Sequence, residues 1–122
     1  MSDIKHDENQ ITQYFVGPLN LNRQDKRATT VMGTELTLDA DEFDALDMLA
    51  ECEGDPLTFE RLYETVWSEG DCSRDRSVAL MRLENLIGKI SEIGEGLMWI
   101  EYEPETGYSF RTRWEHNLQK RN

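Results

Sequence analysis

A chain of 122 residues is long enough for one domain with a modest core. Twenty-five acids against thirteen Lys and Arg give a net charge of −12, the reverse of the basic balance usual in nucleic-acid binders. No apolar run approaches the roughly 20 residues a membrane-spanning helix needs, and the opening MSDIKHDENQ lacks the apolar stretch of a signal peptide.

The acidity is local. Glu35 to Glu64 holds eleven acids and a single base, Arg61, while residues 23–27 and 111–121 are locally basic. Cys52 and Cys72 form no CxxC pair and are read as reduced thiols. The expectation is a cytoplasmic globular protein with no membrane partner.

Residues 1–12 are polar and aperiodic and read as a flexible tail. Tyr14 to Leu21, YFVGPLNL, reads as a short strand with Pro18 at an edge or bulge. Residues 22–27, NRQDKR, form a charged turn. Thr29 to Leu38 reads as strand, tight turn at Gly33 and strand, with Leu36 and Leu38 alternating around Thr37. An N-terminal antiparallel sheet of three or four short strands follows.

Asp39 and Glu42 are spaced as a capping box and open the first helix. Asp41, Glu42 and Asp44 suit the positive end of its dipole. Phe43, Leu46, Leu49 and Ala50 make its apolar stripe, and Gly54 and Pro56 end it. Thr58 caps a second helix with the stripe Leu62, Tyr63, Val66 and Trp67. The third helix starts in DRSVALMRLENLIGKI, where Val78, Leu80, Leu83, Leu86, Ile87 and Ile90 recur at helical spacing, with Ala79 and Met81 at the edges. It stops near Gly94 and Gly96. Leu97 to Tyr102 is a strand, residues 103–107 a turn, and Tyr108-Ser109-Phe110 the return strand. Trp67, Trp99, Tyr102, Tyr108 and Phe110 are expected in the core.

This order predicts an α+β winged helix: an N-terminal antiparallel sheet, three helices and a C-terminal β-hairpin wing. The domain is expected over residues 13–113, with a basic C-terminal tail at 114–122 that carries Trp114.

Four short stretches then carry a resemblance. Leu38-Asp39-Ala40-Asp41-Glu42-Phe43, followed by Ala45-Leu46, is similar to an LTxxEFxLL helix opening. Gly54, Leu57-Thr58, Leu62 and Val66-Trp67 follow at the spacing of a G-x-v-v-[ST]-x3-L-x3-[VL]-W run. Leu86-Ile87-Gly88-Lys89-Ile90 is similar to LRxKI, and Gly107-Tyr108-Ser109-Phe110 to GYRF. Together, over about residues 18–111, they resemble the C-terminal effector domain of OmpR/PhoB-type response regulators of two-component systems. The resemblance implies transcription regulation, with the third helix in the major groove and the wing on the adjacent backbone. Ile87 stands where the family carries Arg, Phe59 where an Arg follows the second cap, and Pro104-Glu105 where the wing has Gly and Arg.

Two function classes remain. As a binder of double-stranded DNA, the chain would use Arg74, Arg76, Arg82 and Lys89 on phosphates, with Ser77 beside them. Asn85 or Arg82 would read base edges, and Arg111 and Arg113 would touch the backbone by the wing. Over residues 68–92, five acids match those four bases. The alternative is a protein-interaction module that has lost DNA binding and docks a basic partner on the acidic first and second helices. A homodimer is compatible with either class.

No catalytic, cofactor or small-molecule site is expected. His6 and His116 have no companion ligands in sequence, and no phosphate-binding glycine motif is present. The pattern Asp39-x-Asp41-x-x-Asp44 lacks the central glycine of a calcium loop, so a metal is not expected there.

Overall fold

The computed structural model describes residues 12–70 and 73–113. The expected tails, residue 12 apart, lie outside the described residues, as do Cys72, both histidines and Trp114.

The N-terminal third alternates apolar and polar side chains, and one face of the resulting sheet is buried. Strands β1 (Gln13–Val16), β2 (Leu19–Asn22), β3 (Arg27–Thr30) and β4 (Glu35–Leu36) pair antiparallel in sequence order. Leu19, Leu21, Ala28 and Leu36 point into the core. Where one strand was expected over residues 14–21 there are two. Gly17, at φ +59°, and Pro18 turn the chain, and Val16 pairs with Leu19. Proline here starts a hairpin instead of interrupting a ladder, which suits its fixed φ and missing donor.

Helix α1 (Ala40–Glu51) begins as its sequence predicts, with the Asp39 N–H donating to Glu42 Oε1 at 3.0 Å. It lies on the sheet: Tyr14 donates its hydroxyl hydrogen to Asp47, and Arg23 Nε reaches Asp47 Oδ2 at 2.9 Å. Helix α2 (Phe59–Leu62) is capped by Thr58, whose Oγ1 accepts the Arg61 N–H at 3.1 Å. It runs directly into a wide π turn over Tyr63–Trp67, which buries Val66 and Trp67.

Helix α3 (Arg76–Gly94) is the longest element. Asp75 caps it, accepting the Val78 N–H at 3.0 Å, and Glu95 ends it in the left-handed conformation. Its buried line is Ala79, Leu83, Leu86 and Ile90, not the line through Leu80. Leu80 is 37% exposed and Met81 59% exposed.

Strands β5 (Met98–Glu103) and β6 (Gly107–Thr112) form the hairpin, with Ile100 opposite Phe110 and Tyr102 opposite Tyr108. Met98, Ile100, Tyr108 and Phe110 complete the core. Tyr102, expected inside, shares the face of Ile100 and Tyr108 but is 55% exposed, because burial along β5 gives out after Ile100. The α1–α2 loop adds a single bridge to this hairpin. Leu57 and Tyr108 exchange N–H···O bonds of 2.7 and 2.8 Å, and the Gly54 N–H donates to the Phe110 carbonyl at 3.0 Å. These bonds fix the wing against the helices. The whole is the expected α+β winged helix.

Candidate nucleic-acid interface

The start of α3 is held from two sides. The Arg74 N–H donates to the Trp67 carbonyl at 3.0 Å, and the Tyr63 hydroxyl donates to the Arg74 carbonyl at 2.8 Å. Tyr63 and Trp67 both belong to the π turn, so the angle at which α3 leaves α2 is set there.

Two acids that suit a helix N-terminus turn out to be the most deeply buried charges among the described residues. Asp41 is 1% exposed. Its carboxylate accepts from Trp67 Nε1 at 2.9 Å, from Arg82 Nε at 2.9 Å and from Arg82 Nη2 at 3.0 Å. Arg82 also reaches Asp39 at 2.9 Å, and Arg74 Nε lies 3.9 Å from Asp41. Burial pushes the Asp41 carboxyl up, but the Arg82 and Trp67 bonds outweigh it and hold it below the usual carboxylate range. Glu42, equally buried, accepts from Lys89 Nζ at 2.8 Å, and Lys89 also donates to the Thr37 carbonyl at 2.8 Å. Two cations of α3 are thus bonded to α1.

Sequence reasoning missed this pairing, although a signal was present. Glu42 stands four and seven residues before Leu46 and Leu49, and Asp41 four and eight before Ala45 and Leu49. Both acids therefore lie on the buried stripe of α1. A charge on such a stripe needs a partner.

The other expected contact residues lie at the surface. Arg76 forms a two-bond pair with Glu60, Nη2 to Oε1 being 2.9 Å, and its guanidinium lies over the Tyr63 ring. Arg74 donates to the Ser73 carbonyl at 3.1 Å. Ser77 is exposed beside Asp75, and Asn85 is exposed on the next turns. On the wing, Arg111 meets Glu101 at 3.2 Å and Arg113 covers the Trp99 ring. The structure therefore places Arg74 and Arg76 at the N-terminal edge of α3, Ser77 and Asn85 on its outer side, and Arg111 and Arg113 at the base of the hairpin. Arg82 and Lys89 go to α1.

A groove of about 290 Å³ separates α3 from the wing, lined by Phe59, Leu80, Tyr102, Pro104, Glu105 and Tyr108 among others. Burial, then the neighbouring Tyr102 and Glu84, push the Tyr108 phenol up. Ile87 is half-buried and packs on the core.

The family model described as "Transcriptional regulatory protein, C terminal" matches residues 33–110. The chain belongs to this family, the OmpR/PhoB-type effector domains. The DNA-binding domain of CpxR from E. coli is 26% identical with a TM-score of 0.65, over 82% of this chain and 96% of that one. The response regulator DrrB of Thermotoga maritima, described as an OmpR/PhoB homolog, is 23% identical with a TM-score of 0.66. That match covers 87% of this chain and 47% of DrrB, so the effector domain described here spans about half the length of that regulator. The Klebsiella pneumoniae RstA DNA-binding domain, solved in complex with the RstA box, is 21% identical with a TM-score of 0.58, over 81% of this chain and 96% of that one. Among curated proteins, no significant sequence match was found. The fold of these effector domains is shared across the described residues.

Proposed function

We propose that the chain is a transcription-regulatory DNA-binding domain that lays α3 in the major groove and sets the wing against the neighbouring backbone. The observation that supports it most is the outer face of α3. On a fold shared with DNA-binding domains, this face is exposed from Ser77 to Gly88, and the wing borders it across one groove. Arg74, Arg76, Arg111 and Arg113 supply the phosphate contacts. Arg82 and Lys89 instead orient α3, because moving them to a phosphate would leave Asp41 and Glu42 charged and buried without their partners.

Four phosphate contacts make a weak binder by the standards of the class. Counterion release predicts a slope of log K on log salt near −3.6, so affinity falls roughly a hundredfold between about 50 and 200 mM salt. Useful occupancy then needs two linked copies on two half-sites, where effective concentration multiplies weak contacts. Fluorescence anisotropy on a mixed genomic duplex, titrated in salt, tests the reading. Expected is salt-dependent binding with that slope, reduced by about 1 in Arg76→Ala. No binding at the lowest salt refutes it.

A second reading has its own observation. Glu53 and Asp55 in the α1–α2 loop, and Glu64 in the π turn after α2, are exposed and form no ion pair among the described residues. They suit a basic protein partner. Asp44, by contrast, is engaged with Lys26 at 2.7 Å. If duplex is not bound, and Glu53→Lys with Asp55→Lys abolishes capture of a basic partner, this reading replaces the first.

A further inference from the structure

The outer face of α3 contains no cation. Ser77, Leu80, Met81, Glu84, Asn85 and Gly88 are all exposed. At about 100° per residue they fall within one arc of the helix, and from Ser77 to Gly88 they run about 16 Å along it, the rise of some five base pairs. The cations of this helix leave the arc sideways. Arg76 is drawn to Glu60 and Tyr63 at the N-terminal edge, and Arg82 and Lys89 are drawn to α1. Among the described residues, the side chains of Glu84 and Asn85 make no hydrogen bond or ion pair. They are therefore available to an incoming molecule.

The commonest base contact in the major groove is a cation on the guanine edge. This face cannot make it. A carboxylate meets an amino donor well but repels the acceptor edges of guanine and thymine, so it selects by penalty as well as by attraction. An amide matches the adjacent donor and acceptor of adenine, and an exposed aliphatic chain matches the thymine methyl group.

We propose that α3 reads its half-site without an arginine: Asn85 engages an adenine edge, Glu84 accepts from a cytosine amino group, and Leu80 with Met81 covers thymine methyl groups. This assignment rests on the DNA-binding reading and names the sequence class that such a domain selects. The half-site is rich in A·T pairs and contains a C·G pair read from its cytosine. Tyr102, across the groove from Leu80, closes the apolar side.

The test is selection of a randomised duplex pool by the wild-type chain, and in parallel by Asn85→Ala, Glu84→Ala and the Leu80→Ala/Met81→Ala double variant. All four positions are exposed, so the variants keep the core. The wild type should return a short A·T-rich motif. Asn85→Ala should flatten one A·T position and Glu84→Ala one C·G position, each by roughly 5- to 100-fold in discrimination. Uracil in place of thymine should weaken the wild type several-fold and leave the double variant unchanged. A motif identical in all variants overturns the assignment, as does one anchored on guanine and lost in Arg76→Ala or Arg82→Ala. Duplex retained with no motif at all overturns base readout while leaving the docking of α3 in place. No duplex retained at low salt overturns both.

Discussion

Arg82→Ala probes the contact that sets α3 on α1. Arg82 gives Asp41 two hydrogen bonds of 2.9 and 3.0 Å, and Asp41 is almost fully buried. Removing one partner of a buried pair costs about 3–5 kcal/mol, because the remaining charge is left uncompensated. Trp67 stays bonded at 2.9 Å and Arg74 stands 3.9 Å away, so the lower end, about 3 kcal/mol, is expected. At roughly 4 °C per kcal/mol this lowers Tm by about 12 °C. The pH dependence supplies the sharper readout. In the wild type the Asp41 carboxyl is held below its unfolded value, so its stabilisation is present above the unfolded pKa and lost as pH falls through the folded one. Without Arg82, burial becomes the leading influence and raises the carboxyl. The variant then takes up a proton more readily when folded, and its deficit relative to wild type shrinks on acidification. Urea titration followed by tryptophan fluorescence at neutral and acidic pH measures both effects. A loss below about 1 kcal/mol, with a pH profile parallel to the wild type, would mean that the pair behaves as a surface ion pair and that Arg82 is free for DNA.

Lys89→Ala should cost about 2–3 kcal/mol by leaving Glu42 with little beyond the Asp39 N–H, and Glu42→Gln should recover part of it in a double-mutant cycle; strictly additive losses would contradict the coupling. Gly107→Ala should destabilise by roughly 2–3 kcal/mol and loosen the wing. Gly107 has φ +119°, and a Cβ there would drive into the Leu57 carbonyl. Loss of amide protection at Leu57 and Tyr108 in hydrogen exchange is the check, and unchanged protection argues against it. Glu60→Gln should release Arg76 and raise duplex affinity modestly, by less than tenfold, with no change in core stability; lower affinity would show that Glu60 holds Arg76 in its binding position.

The order of elements was legible because its punctuation is local. Thr58 and Asp75 cap the helices they precede, and Gly107 opens the wing strand after the EPET turn. The register of α3 was not. Apolar residues at 78, 80, 83, 86, 87 and 90 cover so wide an arc that hydrophobicity alone favours Leu80 over Ala79. The packed helix buries the small Ala79 and leaves the larger Leu80 partly out. The Asp41–Arg82 and Glu42–Lys89 pairs span 41 and 47 residues, and local patterning carries no information about which cation crosses to which acid. The candidate contact residues were therefore legible as residue types, while their division into solvent-facing and α1-facing sets depended on tertiary structure. Tyr102 fails for a related reason: alternation puts it on the covered face with Ile100 and Tyr108, but burial along β5 gives out before it, and local patterning does not show how far along the hairpin the core extends.

The charge of −12 and the proposed DNA contact become compatible once the ion pairs are followed. Eight of the eleven acids between Glu35 and Glu64 are matched by cations from outside that stretch: Arg23, Lys26, Arg27, Arg76, Arg82 and Lys89. The acidic third is thus largely neutralised within the fold, and the same pairing leaves few cations for phosphate. Salt separates the two roles. A buried pair is screened little, whereas counterion release at an exposed phosphate contact is strongly salt-dependent. Raising salt tenfold should therefore lower duplex affinity by about 10³- to 10⁴-fold, for a slope near −3.6, while Tm stays nearly level. Parallel loss of Tm and affinity would mean that the Asp41–Arg82 contact is open to solvent, and that the orientation of α3 is itself part of what salt dissolves.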